Sequence, residues 1–238
     1  NKLVKVLSGH TDQVTSIVFS PDGTQITSGS NDETIRFWDV HTGALLKTLT
    51  GQHWGNVTGL AFSPDGTLLI AGYADGAVIK WDAHTGQALD ILFGRMGPVT
   101  SVDYDPDGTR FAAGDQDGFS RIWDAHTDAL LFSIGSSQLI AHPVSSVAFS
   151  PDGKEFAMAD GSVLLLDAHT GKTIGGYDGD GALAFRPNGY ILATGVYDGL
   201  GFIRTPNSPA PNDIFGQLIM TISPYSQLNS LEFRPDGT

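Results

Sequence analysis

His10, Ser28 and Asp32 are the residue types of nucleophilic acyl transfer, in which a carboxylate orients an imidazole that takes the hydroxyl proton. Ser28 and Asp32 stand only four residues apart across a tight turn. A second pattern is the recurrence of His41, His84, His126 and His169 at the same point of four successive repeats. Zinc–nitrogen bonds of about 2 Å require converging ligands, and equivalent atoms of neighbouring repeats should lie far apart. These histidines read as solvated turn residues. A third is Asp103-Tyr104-Asp105-Pro106-Asp107-Gly108, which opens like a calcium loop. The helix-flanked form of that loop ends in a bidentate glutamate at position twelve, where this chain has Gly114. Another form needs an aspartate at position nine, where Phe111 stands. An ordinary hairpin turn is the favoured reading, with a weak adventitious cation site as the alternative. No phosphate-binding loop, metalloprotease helix or nucleophile elbow occurs.

The elements that position these residues follow from a recurring turn. Ser20-Pro21-Asp22-Gly23, Ser63-Pro64-Asp65-Gly66, Asp105-Pro106-Asp107-Gly108, Ser150-Pro151-Asp152-Gly153, Arg186-Pro187-Asn188-Gly189 and Arg234-Pro235-Asp236-Gly237 punctuate the chain with spacings mostly in the low forties. Proline presets φ at the first turn position and glycine accepts the left-handed one, so each unit opens as a hairpin between two alternating apolar runs. Further turns at Asp32, Asp75, Asp117, Asp160 and Asp198 introduce a third strand. It ends at Trp38-Asp39, Trp81-Asp82, Trp123-Asp124, Leu166-Asp167 and Arg204-Thr205. In every unit the turn aspartate lies six residues before this tryptophan position. A His-Thr turn then leads to a fourth strand, so each period makes one propeller blade of four short antiparallel strands.

The residues Gly9-His10, Ser28-Gly29, Asp32 and Trp38-Asp39 closely resemble the WD-repeat family, and the resemblance covers essentially the whole chain. It implies a hydrogen-bonded tetrad of histidine, hydroxyl, aspartate and tryptophan that rigidifies each blade. In the first blade this is His10, Ser28, Asp32 and Trp38. The second blade has His53, Asp75 and Trp81, with Ala71 in place of the hydroxyl. The third keeps Asp117 and Trp123, with Arg95 for histidine and Ala113 for serine. The fourth keeps Asp160 and has Leu166 for tryptophan. The fifth keeps Thr194 and Asp198, with Arg204 for tryptophan. Asp167-Ala168-His169-Thr170-Gly171-Lys172 also resembles part of a pyrroloquinoline-quinone repeat, but Leu165 and Ile174 or Gly175 replace the flanking residues that motif needs. The expected fold is one all-β WD-repeat propeller spanning residues 1–238, seven-bladed when complete. Five blades are covered, flanked by a partial fourth strand at Lys2–His10 and a partial first strand at Leu228–Thr238. An open ring would leave an edge for self-association.

Twenty-six acidic against 13 basic residues give a net charge of -13. With no Lys/Arg cluster, phosphate-mediated nucleic-acid binding and docking on anionic membranes are disfavoured, and basic partner patches are favoured. There is no cysteine, so no disulfide, thiolate zinc site or cysteine nucleophile. A cytoplasmic setting and no cofactor are expected. In the WD-repeat family partners usually dock on the face that bears the blade-to-blade loops and the turns between second and third strands. Trp54, Tyr73, Arg95 and Met96 are expected there, with Gln13, Asn31, Gln116, His142 and Tyr197 around the ring. Aromatic and arginine anchors dominate interface energetics. The expected function is therefore a non-catalytic scaffold for peptides or domains. The uniform repeats resemble sensor arrays of large signalling ATPases. The alternative is a propeller enzyme or ligand binder with a central-channel site.

Overall fold

A computed structural model describes residues 5–50, 55–93, 97–135, 142–177, 179, 181–187, 191–196 and 199–204. The first sheet comprises β1 (Val14–Phe19), β2 (Gln25–Ser30), β3 (Thr34–Asp39) and β4 (Leu45–Thr50). The second holds β5 (Val57–Phe62), β6 (Leu68–Tyr73), β7 (Ala77–Asp82) and β8 (Ala88–Phe93). The third holds β9 (Val99–Tyr104), β10 (Arg110–Asp115), β11 (Phe119–Asp124) and β12 (Leu130–Gly135). The fourth holds β13 (Ser146–Phe149), β14 (Glu155–Ala159), β15 (Val163–Asp167) and β16 (Thr173–Tyr177). The last described sheet holds β17 (Leu183–Phe185), β18 (Ile191–Val196) and β19 (Gly199–Arg204). Every sheet is an antiparallel meander in chain order. Successive sheets touch through their first strands, β1 to β5 to β9 to β13 to β17. This is the expected all-β succession of propeller blades.

The Pro-Asp-Gly hairpins form for local reasons. The Gly23 amide donates to the Ser20 carbonyl at 2.8 Å, and Gly23 sits at φ 69°, where a side chain would be strained. The Asp22 carboxylate takes the Ser20 hydroxyl at 2.6 Å and the Thr24 amide at 3.0 Å. The Asp-His-Thr turn works alike: Asp39 Oδ1 accepts from the Thr42 amide at 2.6 Å and hydroxyl at 2.7 Å. Asp82, Asp124 and Asp167 repeat it. The Thr42 amide bond is the foremost cause that lowers the Asp39 pKa. Much of the acidic excess therefore caps turns.

Blades interlock by a knob and a hole. A Cβ placed on Gly29 would lie 2.5 Å from Val57 Cγ1, one on Gly72 2.3 Å from Val99 Cγ1, and one on Gly114 2.4 Å from Val144 Cγ1. Each valine opens one blade and fills the space left by a glycine in the second strand of the blade before. Apolar side chains close the rest of the contact: Ile35, Phe37 and Leu49 pack with Val57 and Leu60, and Phe37 meets Phe62 edge-on at 6.2 Å. Lysines also reach across. Lys80 Nζ pairs with the Asp128 carboxylate of the next blade at 2.5 Å. Asp128 holds φ 59° at the turn position of Gly43, Gly86 and Gly171, so this ion pair is made from a strained backbone.

One strand expectation is corrected. The described part of Lys2–His10, residues 5–10, is irregular rather than an outer fourth strand. Among the described residues no third strand flanks it, so its backbone has no ladder to join. Leu228–Thr238 lies outside the described residues.

Candidate functional site

The first blade assembles the expected tetrad. Trp38 Nε1 donates to Ser28 Oγ at 2.8 Å. Ser28 Oγ lies 2.7 Å from His10 Nε2, and His10 Nδ1 lies 2.9 Å from Asp32 Oδ2. With Asp32 ionised, one proton order satisfies all three contacts: indole to hydroxyl, hydroxyl to Nε2, Nδ1–H to carboxylate. Asp32 also accepts the Thr11 amide at 2.9 Å, the Thr34 hydroxyl at 2.6 Å and the Thr34 amide at 3.0 Å. Burial by itself would raise its pKa, but the Thr34 hydroxyl, the Thr11 amide and His10 outweigh it and hold the carboxyl far below the usual range. Gly9 lies against the indole, since a Cβ there would stand 3.0 Å from Trp38 Cη2.

The geometry superficially matches a hydrolytic triad, but Ser28 is buried and its oxygen already accepts the indole proton. A nucleophile needs that lone pair free and facing substrate. The set is a brace between the blade's entry loop, its second strand and its third.

The other blades dismantle the brace stepwise. His53 lies outside the described residues. Asp75 caps the Ala77 amide at 3.0 Å, and Trp81 Nε1 is buried without a hydrogen bond, because Ala71 supplies no hydroxyl. The Trp81 indole opposes the rise in the Tyr73 pKa, yet it makes no hydrogen bond. In the third blade Trp123 stacks on Phe111 at 5.4 Å. Asp117 is exposed and crowds the backbone of residue 97, where a Cβ on Gly97 would lie 2.7 Å from its Cγ. Thr194 is buried in the last described sheet, and Asp198 lies outside the described residues. Ser28→Ala should therefore cost about 1–3 kcal/mol, because two buried groups lose their partner. Ala71→Ser should instead gain about 1 kcal/mol by receiving the Trp81 proton. Urea unfolding of both variants measures the pair.

Tyr73 is corrected as a surface anchor. Its side chain is fully buried within the core shared by the first two blades, and burial raises its phenol pKa. Its strand position turns it inward, with Val57 as its cross-strand partner. Trp54, Arg95, Met96 and Tyr197 lie outside the described residues. Gln13, Gln116 and His142 are exposed on the loop face, and Asn31 is half-buried.

Sequence reasoning missed the anchor that this face does describe. Phe119 opens β11 directly after the Asp117-Gly118 turn and is 40 % exposed. Arg121 lies over its ring at 5.2 Å. Arg121 Nη1 in turn pairs with the buried Asp115 carboxylate at 2.6 Å, and Asp115 Oδ1 accepts the Phe119 amide at 2.9 Å. The signal was Asp115 standing where the sister blades have Ser30 and Tyr73, six residues before an arginine.

The remaining chemical candidates resolve into separate contacts. His41, His84, His126 and His169 are exposed, and no group of three metal-ligating side chains occurs among the described residues. The calcium-like segment splits its carboxylates. Asp107 caps the Thr109 amide at 2.9 Å, Asp105 pairs with Arg110 at 2.8 Å, and Asp103 accepts the Phe149 amide of the next blade at 2.8 Å. Burial pushes Asp103 up to about 7, against the lowering effect of the Phe149 amide. Among the described residues no helix is long and apolar enough to cross a membrane.

Comparison with known proteins matches residues 1–39, 43–82, 86–124 and 135–180 to the family model described as "WD domain, G-beta repeat". WD repeat-containing protein 18 of Bos taurus is 50% identical over 46 residues, 19% of this chain and 11% of that protein. Protein Mut11 of Chlamydomonas reinhardtii is 52% identical over 42 residues, 18% of this chain and 11% of that protein. The Notchless protein homolog of Arabidopsis thaliana is 44% identical over 48 residues, 20% of this chain and 10% of that protein. The matched segments thus span about a tenth of the length of these relatives.

Proposed function

The chain belongs to the WD-repeat family, and from that premise we propose that it is a non-catalytic scaffold that takes peptides or protein domains on its loop face. The observation that carries this reading is Phe119. An exposed aromatic ring at a loop rim, held by Arg121 and a buried carboxylate, is a pre-organised anchor, and such anchors concentrate interface energy. Trp54, Arg95 and Met96, read from the sequence as linker residues ahead of the second and third blades, are the further anchors proposed for this face. Tyr197, which directly precedes the turn aspartate Asp198 in the sequence, is proposed with them. The exposed carboxylates of Asp12, Glu33, Asp75 and Asp117 on this face add a preference for basic segments. The face would act as one module, with residues 1–238 as a single propeller domain, placed within a larger signalling protein.

Peptides selected on the chain from a displayed random library supply the probe. Phe119→Ala, and separately Trp54→Ala with Arg95→Ala, should each weaken the selected peptides at least about tenfold, the scale of a moderate hot spot. Circular dichroism and thermal unfolding should remain those of the parent. Unchanged affinity in folded variants would remove the loop face from consideration. A second reading, a ligand site in the central channel, draws on Asp103, whose carboxyl on an inner strand titrates near neutrality. Selected peptides that lose affinity on Asp103→Asn but not on Phe119→Ala would favour it.

A further inference from the structure

The cleft between the third and fourth blades is filled by an arginine of the chain itself. Arg110 reaches from β10 into the fourth blade, where its guanidinium lies 5.6 Å from the centre of the Phe149 ring. It donates there to the Gly153 carbonyl at 3.0 Å and to the Ala168 carbonyl. Asp105, five residues earlier, accepts from its Nε at 2.8 Å. An aromatic face, turn carbonyls and a carboxylate are together what a planar guanidinium recognises.

The cleft between the first and second blades follows the same plan and lacks that arginine. Phe62 stands where Phe149 does, Gly66 where Gly153 does and Ala83 where Ala168 does, while Ser20 and Gln25 replace Asp105 and Arg110. The turns stack at the same spacing: a Cβ on Gly66 would lie 3.4 Å from Pro21 Cδ, and one on Gly153 3.5 Å from Pro106 Cγ. Lys47 takes over part of the missing role from β4. Its ammonium donates to the Ala83 carbonyl at 2.5 Å and the His84 carbonyl at 2.8 Å, and it lies over Phe37, at 4.6 Å, rather than over Phe62. What remains is an open cavity of about 310 Å³, to whose wall Asp22, Gln25, Lys47, Phe62, Asp65 and Gly66 contribute. Two carboxylates thus face one ammonium and the exposed His84 imidazole. Hydrogen bonds, those from Ser20 and Ser63 foremost, lower both carboxyl pKa values and keep the pair ionised at neutral pH.

We propose that this cleft is a socket for an arginine side chain of a partner protein, its guanidinium set over Phe62 and within reach of the Gly66 carbonyl, Asp22 and Asp65. The chain itself shows the occupant, since it seats Arg110 in the equivalent space two blades on. Arginine suits the socket better than lysine, because a planar fork can face a ring and a carbonyl at once. The net charge of -13 draws basic segments to the surface as a whole, and the cleft adds the choice of side chain. It is formed by β1–β2 and β3–β4 turns, at the opposite end of the strands from the loop face, so neither site depends on the other.

The probe is the N-acetylated tripeptide amide Gly-Arg-Gly, titrated into the isotope-labelled chain and followed by amide chemical shifts. Gly-Lys-Gly and the neutral Gly-citrulline-Gly are titrated beside it. The arginine peptide should move the amides of Gln25, Phe62 and Gly66 and bind at least about tenfold more tightly than the citrulline peptide, with lysine between them. Ser20→Asp with Gln25→Arg installs the residue types of the third blade and leaves the net charge unchanged. It should fill the cleft from within and weaken the arginine peptide at least about tenfold while the fold is kept. Phe119→Ala, on the loop face, should leave this binding as it is. Equal affinity for the arginine and lysine peptides, with shifts shared among the turns at Asp22, Asp65, Asp107 and Asp152, would overturn the proposal in favour of unselective charge attraction. Shifts absent from Phe62 and Gly66 would overturn it as well, and so would a folded double variant that binds the arginine peptide as the parent does. The peptide comparison on the parent needs no variant.

Discussion

Arg110→Leu is expected to lower stability by about 3–5 kcal/mol, the usual cost of stranding one half of a buried ion pair. Arg110 Nε donates to Asp105 Oδ2 at 2.8 Å, and the Asp105 side chain has no exposed surface. The same guanidinium reaches the next blade, where Nη2 donates to the Gly153 carbonyl at 3.0 Å and Nη1 to the Ala168 carbonyl. Removal of the arginine leaves an uncompensated carboxylate and two carbonyls with one donor fewer. Burial already raises the Asp105 pKa, and the bonds from Arg110 oppose that rise. Without Arg110 the shift grows, so the variant should recover part of its loss as pH falls and Asp105 takes a proton. The second blade shows the repair, because Ser63 and Leu68 occupy the two positions there. Asp105→Ser combined with Arg110→Leu should sit within about 1–2 kcal/mol of the parent, a strongly non-additive result. Denaturant unfolding at pH 5 and pH 8 measures both effects. A single variant as stable as the parent would show that this clasp contributes nothing.

The second large effect belongs to Asp103. Its folded pKa is raised from the ordinary carboxylate range to about 7, with burial as the first cause and Asp105 adding to it. A raised acid pKa means that the folded state binds the proton more tightly than the unfolded state. Stability is therefore favoured below about pH 4 and lost as pH rises towards 7, with the full penalty above that. A rise of that size would amount to about 4 kcal/mol for a fully buried group. The residue is part-exposed, and solvent screening reduces this to about 2 kcal/mol. Asp103→Asn keeps an oxygen for the Phe149 amide and removes the charge. It should be more stable than the parent at pH 8 by about 2 kcal/mol, and the difference should vanish near pH 4. Asp32 acts with the opposite sign: its lowered pKa adds stability above its unfolded value that is lost under acid. The pH profile of the Asp103→Asn difference separates the two groups.

Most of the fold was legible because each blade repeats its own punctuation. Pro21-Asp22-Gly23 and its sisters set the hairpins, Asp39 and its sisters set the outer turns, and the six-residue interval from Asp32 to Trp38 fixed the third strand. The first tetrad was legible for the same reason, since its four residue types have few other ways to satisfy one another when buried. What the spacing could not convey was the direction of side chains at strand ends. Tyr73 is near a loop in sequence, yet the pleat turns it into the core, while Phe119 at an equally ordinary position turns outward. The clasp at Arg110 and the cap at Asp103 join different blades. They depend on the distance between sheets, which no single repeat encodes, although blade three announced them by its departures at Asp105, Asp103 and Asp115.

Hydrogen–deuterium exchange on the chain, alone and saturated with a peptide selected from a displayed library, addresses the scaffold reading most directly. The account predicts that slowed exchange concentrates in the loops at residues 11–13, 31–33, 74–76 and 116–119, with the inner strands β1, β5, β9 and β13 unchanged. Protection confined to those inner strands around Asp103, with the loops exchanging as before, would contradict it and place the binding site in the channel.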